Sequence, residues 1–170
     1  PTQFTDNPTL PPEPTSAPTY PFPTFSPTET MAPTTAGLTR FSRYIRNNIA
    51  VDKDALLDSN SYQYRAMRWL YEHVTSGRSS LTLTRLQNDN DRLRQRFAYI
   101  TLDFAAQGPG AFQPKFLTGN DLRTLSECRA RGVSCNTSNR ITKIVWAEEG
   151  LRGNLTEEIG RLTRLRHLDL

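Results

Sequence analysis

The stretch ITKIVWAEEGLRGNLTEEIGRLTRLRHLDL, residues 141–170, constrains this chain most, because it begins to repeat itself. Ile141, Ile144 and Trp146 are answered by Leu165, Leu168 and Leu170, each 24 residues later. A period of about 20 to 50 residues is the mark of stacked supersecondary units. Between the two starts, Leu151, Leu155, Ile159 and Leu162 supply apolar filling, and Gly153 and Gly160 fall on the same frame. The opening strand is expected to turn Ile141, Ile144 and Trp146 inward. Side chains alternate along a strand, so Thr142, Lys143, Val145, Ala147 and Glu148 are expected on a concave face, which Arg166, His167 and Asp169 extend in the next coil. A single coil leaves its flat sides uncovered, and at least about three repeats are needed for stability. The chain is therefore expected to be the opening section of a stacked array.

The other end has a different composition. Residues 1–36 hold ten of the 12 prolines, ten threonines, three acidic residues and no Lys or Arg, with Pro-Thr recurring seven times. Proline lacks an amide proton, fixes its own φ and pushes the preceding residue out of the helical region. Helices and central strands are excluded, and a disordered Pro/Thr-rich stalk of polyproline II or coil is expected. Its hydroxyls match either an O-glycosylated stalk or an unmodified linker. Tyr20, Phe22 and Phe25 offer a ligand for a proline-recognising surface.

Residues 37–115 read as a small helical region. Leu38, Phe41, Ile45 and Ile49 recur at spacings of three and four. A second helix is expected after Asp58, Ser59 and Asn60, any of which can cap it, with Tyr64, Met67, Leu70, Tyr71 and Val74 as its apolar stripe and Ser76-Gly77 as its stop. The third and longest carries Leu83, Leu86, Leu93, Phe97, Ile100 and Phe104 and ends at Gly108-Pro109-Gly110. Asn88, Asp89 and Asn90 make a poor helix interior, which places its true start near Asp89. Three short helices bury a modest core, so they are expected to lean on something else. Trp69 and Met67 read as packing, and His73, near a helix C-terminus, has no Cys, His or carboxylate at ligand spacing and is a weak metal candidate.

The two cysteines, Cys128 and Cys135, lie in ECRARGVSC with Gly132 between them. Such a pair can be two reduced thiols, but the stalk and two glycosylation triplets favour an oxidising compartment and a disulfide. The triplets are Asn136-Thr137-Ser138 and Asn154-Leu155-Thr156. Redox-active pairs more often have the closer Cys-x-x-Cys spacing.

The cysteine pair followed by GLRGNLTEEIGRLTRLRHLDL closely resembles the N-terminal cap and first repeat of plant-type extracellular leucine-rich-repeat proteins. SYQYRAMRWL and RLRQRFAYITLDFA behind a Pro/Thr-rich stalk resemble the region that precedes the repeats in the leucine-rich-repeat families of diatoms and related algae. The resemblance implies an α plus α/β solenoid fold: stalk (1–36), helical region (37–115), disulfide-containing cap (116–140), then the first repeat and the start of the second (141–170). It also implies recognition on the concave face. There are departures: Ala130 stands where the cap usually has Trp, Glu149 where the repeat usually has Asn, and Thr156 where Pro is usual.

Other functional classes find little support. The 21 basic and 14 acidic groups of residues 37–170 are interspersed, without the run of like charges that a nucleic-acid arm would show. No stretch is apolar for the roughly 18 to 20 residues of a membrane span, so membrane attachment would need an anchor outside this segment. No phosphate loop, nucleophile setting or paired-carboxylate cleft appears, and neither catalysis nor a cofactor is expected. Glu157 and Glu158 read as a solvated surface, and Glu148-Glu149 as the flank of a strand end. The expected function is extracellular or cell-surface recognition of a protein, peptide or glycan ligand. The alternatives are the start of a receptor-like kinase ectodomain and a structural or adhesive wall glycoprotein.

Overall fold

The computed structural model describes residues 35–77, 82–117 and 126–170. The stalk expected at 1–36 lies, up to residue 34, outside the described residues.

Four helices come first: α1 (Thr35–Asn48), α2 (Tyr62–Thr75), α3 (Leu83–Gln87) and α4 (Asn90–Gln107). The apolar spacing of α1 buries Phe41 and Ile45, and Ile49 follows them into the core. The cap of α2 is Ser61 rather than any of the three residues before it: its side chain accepts from the Tyr64 amide. Asp58 instead accepts from the Asn60 amide at 2.9 Å, forming the turn that leads into the helix. The expected third helix breaks where the Asn/Asp cluster weakens it, and Asp89 caps α4 through the Arg92 amide.

Helix α4 is the centre of the molecule. Its stripe of Leu93, Phe97, Ile100 and Phe104 is buried, but so are Tyr99, Thr101, Leu102 and Asp103 on its other sides. A helix buried all round is sandwiched by other elements. On one side it packs against α2 and α3, and on the other against the 3-10 turn Glu157–Arg161 of the coil. One hydrophobic core therefore runs from Phe41 and Met67 through α4 to Ile141, Ile144, Trp146 and Leu162. The helices lean on the coil, which is the support their small size requires.

The coil carries a three-stranded sheet, β1 (Val133–Cys135), β2 (Ile141–Val145) and β3 (His167–Asp169), in that spatial order. β1 pairs antiparallel with β2, and β2 pairs parallel with β3. The register partners in the parallel pair are Lys143 with His167, Ile144 with Leu168 and Val145 with Asp169. Each pair is 24 residues apart, the spacing at which the sequence restarts.

Polar groups fasten the coil to α4. The Gln95 side chain accepts from the Ile141 amide at 2.9 Å and donates to the Asn139 carbonyl at 2.9 Å and to Glu127 Oε1 at 2.7 Å. Arg96 Nε donates to Glu127 Oε2 at 3.4 Å, and both residues are buried. Burial pulls the Arg96 guanidinium below its ordinary pKa, and the Glu127 charge opposes that fall. Farther along, the amides of Arg152, Gly153 and Asn154 donate to the last carbonyls of α4, those of Ala106 and Ala105. They belong to the last helical turn, where carbonyls lack the ordinary helical donor; that of Ala105 also accepts from the Gly108 amide at 3.1 Å.

Two expectations for the coil, one apolar and one polar, differ from what is found. Ile141, Ile144, Trp146 and Leu162 are buried, but Leu155 is 56% exposed and Leu151 and Ile159 are half-buried. Leu151 and Ile159 still pack against the core, while Leu155 stands open to solvent. Glu158, read from sequence as solvated, is buried because its Oε1 accepts from the amides of Val51 and Asp52 at 2.8 and 3.2 Å. Desolvation raises its pKa, against the pull of those two hydrogen bonds.

Candidate functional site

The sequence points to the open face of the sheet. Its register sorts the side chains into rows. Val133, Ile144 and Leu168 are cross-strand partners on the core side, half-buried or buried. Ser134, Lys143 and His167 form the adjoining row, and all three are exposed. Two residues on, half-buried Val145 pairs with exposed Asp169.

The expected residues fall into groups. Lys143, Val145, His167 and Asp169 come together as two adjacent pairs across β2 and β3. Thr142 is half-buried, with its hydroxyl donating to the Ser134 carbonyl at 3.2 Å, while its own carbonyl accepts from the Arg166 amide. The Arg166 side chain is exposed. Ala147 and Glu148 are exposed in the turn beyond β2, where Glu148 takes a φ of 64°. Ser134 belongs to the same row and was not expected, because β1 is too short for its alternation to be read. The signal available was its place one residue before Cys135, in the strand that the bridge ties back.

That bridge is present: Cys128 and Cys135 are joined, with Cα atoms 5.5 Å apart. Closing so short a loop contributes about 2.5 kcal/mol by restricting the unfolded chain. Gly132 lets the loop turn at φ 75°, and a Cβ there would lie 2.1 Å from the Val145 carbonyl oxygen. Ala130 is buried, and Phe116 stacks on Trp146 with centroids 4.1 Å apart. Trp146 Nε1 donates to the Arg131 carbonyl at 3.1 Å.

Buried Asp103 places that Phe116. Its two oxygens accept from the amides of Lys115 and Phe116 at 2.9 and 3.0 Å and from Gln107 Nε2 at 2.9 Å. Burial raises its pKa to about 6, although all three hydrogen bonds favour the charged form. Glu149, in the position usual for Asn, pairs instead with Lys115 at 3.3 Å and Arg131 at 2.5 Å. It ties the end of β2 to the loop closed by the disulfide and to Lys115 by charge.

Asn136 and Asn154 are both exposed. Asn136 Oδ1 accepts from the amides of Ser138 and Arg140 at 3.0 and 2.9 Å, which leaves its Nδ2 without a partner among the described residues. Among the described residues no cluster of three His, Cys, Asp or Glu side chains is placed to hold a metal ion, and no helix is long and apolar enough to cross a membrane.

No family model matches the chain, and no solved structure does. A stretch of 64 residues is 41% identical to phytosulfokine receptor 2 of Arabidopsis thaliana. It amounts to 36% of this chain and 6% of that receptor. The chain is thus similar over about a third of its length to a small part of a plant receptor.

Proposed function

We propose that residues 116–170 are the disulfide-capped start of an extracellular or cell-surface leucine-rich-repeat solenoid, and that the exposed row of its sheet recognises a protein, peptide or glycan ligand without catalysis. The observation that carries this reading is the parallel pairing of β2 with β3 at the same 24-residue offset as the sequence period. Stacked coils align their strands in that way. The apolar residues left open on the coil, Leu155 at 56% and Leu170 at 44% exposure, are what a further coil would cover. The cap disulfide and the two exposed sequons fit an oxidising, glycosylating compartment, with N-glycans on Asn136 and Asn154. The algal grouping and the stalk belong to the same proposal.

The likeness to a plant receptor favours one form of the reading, in which the coil opens a receptor ectodomain and its ligand is a peptide. Lys143, Arg166 and His167 would then meet an acidic group of the ligand, and Asp169 a basic or hydroxyl group. The test is a charge reversal, Lys143→Glu with Arg166→Glu, in the intact protein, screened beside the wild type on peptide and glycan arrays. Because both side chains are exposed, the fold should be unchanged. Binding is expected to fall by about tenfold or more, as loss of two interfacial charges ordinarily brings. Identical binding profiles would remove this face from recognition.

A further inference from the structure

A second surface, sharing no residue with the sheet row, lies between α2 and the turn after α4. It is a groove of about 540 Å³, within the size range of small-ligand sites. Trp69 of α2 and Phe112 of the turn line it from two elements, and Phe104 of α4, 1% exposed, closes its floor. Phe112 is 92% exposed. An aromatic ring left so open beside a groove is a common feature of binding surfaces. Trp69 is held flat, because its indole stacks on His73 with centroids 4.8 Å apart and planes 13° from parallel. His73 does not line the groove, so the side of the indole that borders the groove is the one His73 leaves open.

The polar groups along the groove are mixed in kind. Arg68 only donates, the charged Glu72 only accepts, and the exposed Asn60 side chain does both. Arg68 Nε is paired with Glu72 at 2.7 Å, so these two charges offset each other. The remaining charge, on Arg65, is laid over the Tyr62 ring, 5.8 Å from its centroid. The complementary ligand is therefore neutral, sets donors and acceptors side by side, and has flat apolar faces for the rings. A sugar ring with equatorial hydroxyls answers all three requirements. Each hydroxyl both donates and accepts, and the C–H bonds that cover its faces meet the negative face of an aromatic ring. We propose that this groove binds a neutral, flat-faced oligosaccharide, a β-1,4-linked chain of glucose-type rings, with sugar faces on Trp69 and Phe112 and hydroxyls on Asn60, Arg68 and Glu72. The site is independent of the sheet row, and either can stand without the other.

The test is acrylamide quenching of tryptophan fluorescence in the whole chain, with cellohexaose as the probe. Trp146 is 1% exposed, so collisional quenching in the native state reports on half-buried Trp69. The quenching constant is expected to fall as cellohexaose is added and then to level off. Phe112→Ser is expected to raise the dissociation constant of the sugar about tenfold, the scale on which loss of one covered aromatic side chain weakens binding. Because Phe112 is 92% exposed, the fold should be unchanged. A hexamer of galacturonic acid, equally long but acidic, is expected to leave Trp69 open to quencher. No response to cellohexaose overturns the proposal, and so does a titration that Phe112→Ser leaves unaltered. Stronger shielding by the acidic hexamer would mean that the groove selects an anion, which overturns a neutral sugar as its ligand.

Discussion

Gly153→Ala is expected to cost on the order of 3 kcal/mol or more and to loosen the coil from α4. A Cβ at this position would lie 1.5 Å from the Ala105 carbonyl oxygen and 2.6 Å from its carbon. Both are backbone atoms inside a helix, so no side-chain rotation makes room, and the loop itself must withdraw. Withdrawal breaks the hydrogen bonds from the Arg152, Gly153 and Asn154 amides to the Ala106 and Ala105 carbonyls. Each such bond is worth about 1 kcal/mol net; the Ala106 carbonyl loses both loop amides, while that of Ala105 keeps only the Gly108 amide. Urea unfolding of wild type and variant measures the difference. A midpoint unchanged within error would mean that the close approach contributes nothing.

Glu127→Ala is expected to be of similar size, about 3 to 5 kcal/mol, for a different reason. Glu127 is fully buried, accepts from Gln95 and Arg96, and is the carboxylate that meets the Arg96 guanidinium inside the protein. Removing it strips that carboxylate from a buried cation and breaks the Gln95 hub, through which α4 reaches the Ile141 amide. Replacing both charged partners by apolar residues, Glu127→Leu with Arg96→Leu, should cost less than Glu127→Ala alone, because an apolar pair needs no compensation. Urea unfolding of the two variants decides. If the double variant is the less stable by the sum of two independent losses, the pair is not coupled in this way.

These two positions also mark where sequence reading stops. Phe41 and Ile45, or Met67, Leu70 and Val74, announce their helices because the spacing of a helix face is local. The break near Asp89 was legible for the same reason, since Asn and Asp compete with the helix backbone nearby. The 24-residue period was equally plain, and the strand register repeats it. Gln95 and Glu158 gave no such signal. Their partners, the Ile141 amide and the Val51 and Asp52 amides, lie 46 and more than 100 residues away along the chain. A Glu-Glu pair in a loop looks solvated until a distant backbone comes to meet it. Leu155 failed in the opposite sense. Its place in the repeat frame marks it as filling, yet it is 56% exposed. Of the candidate site, Lys143, Val145, His167 and Asp169 could be placed from alternation alone. Ser134 could not, because three residues are too few to show which way a strand faces.

All of this rests on one physical claim: the helices and the coil share a single core, with α4 between them, and stand or fall together. Native-state hydrogen exchange tests it most directly. The amides of Ile141, held by Gln95, and of Trp146, held by the Asp169 carbonyl at 2.7 Å, are expected to exchange with the same opening free energy as the amides in the middle of α4. If the amides of β2 exchange through a much smaller opening while α4 stays protected, the coil is a separate and weaker unit, and the account is contradicted.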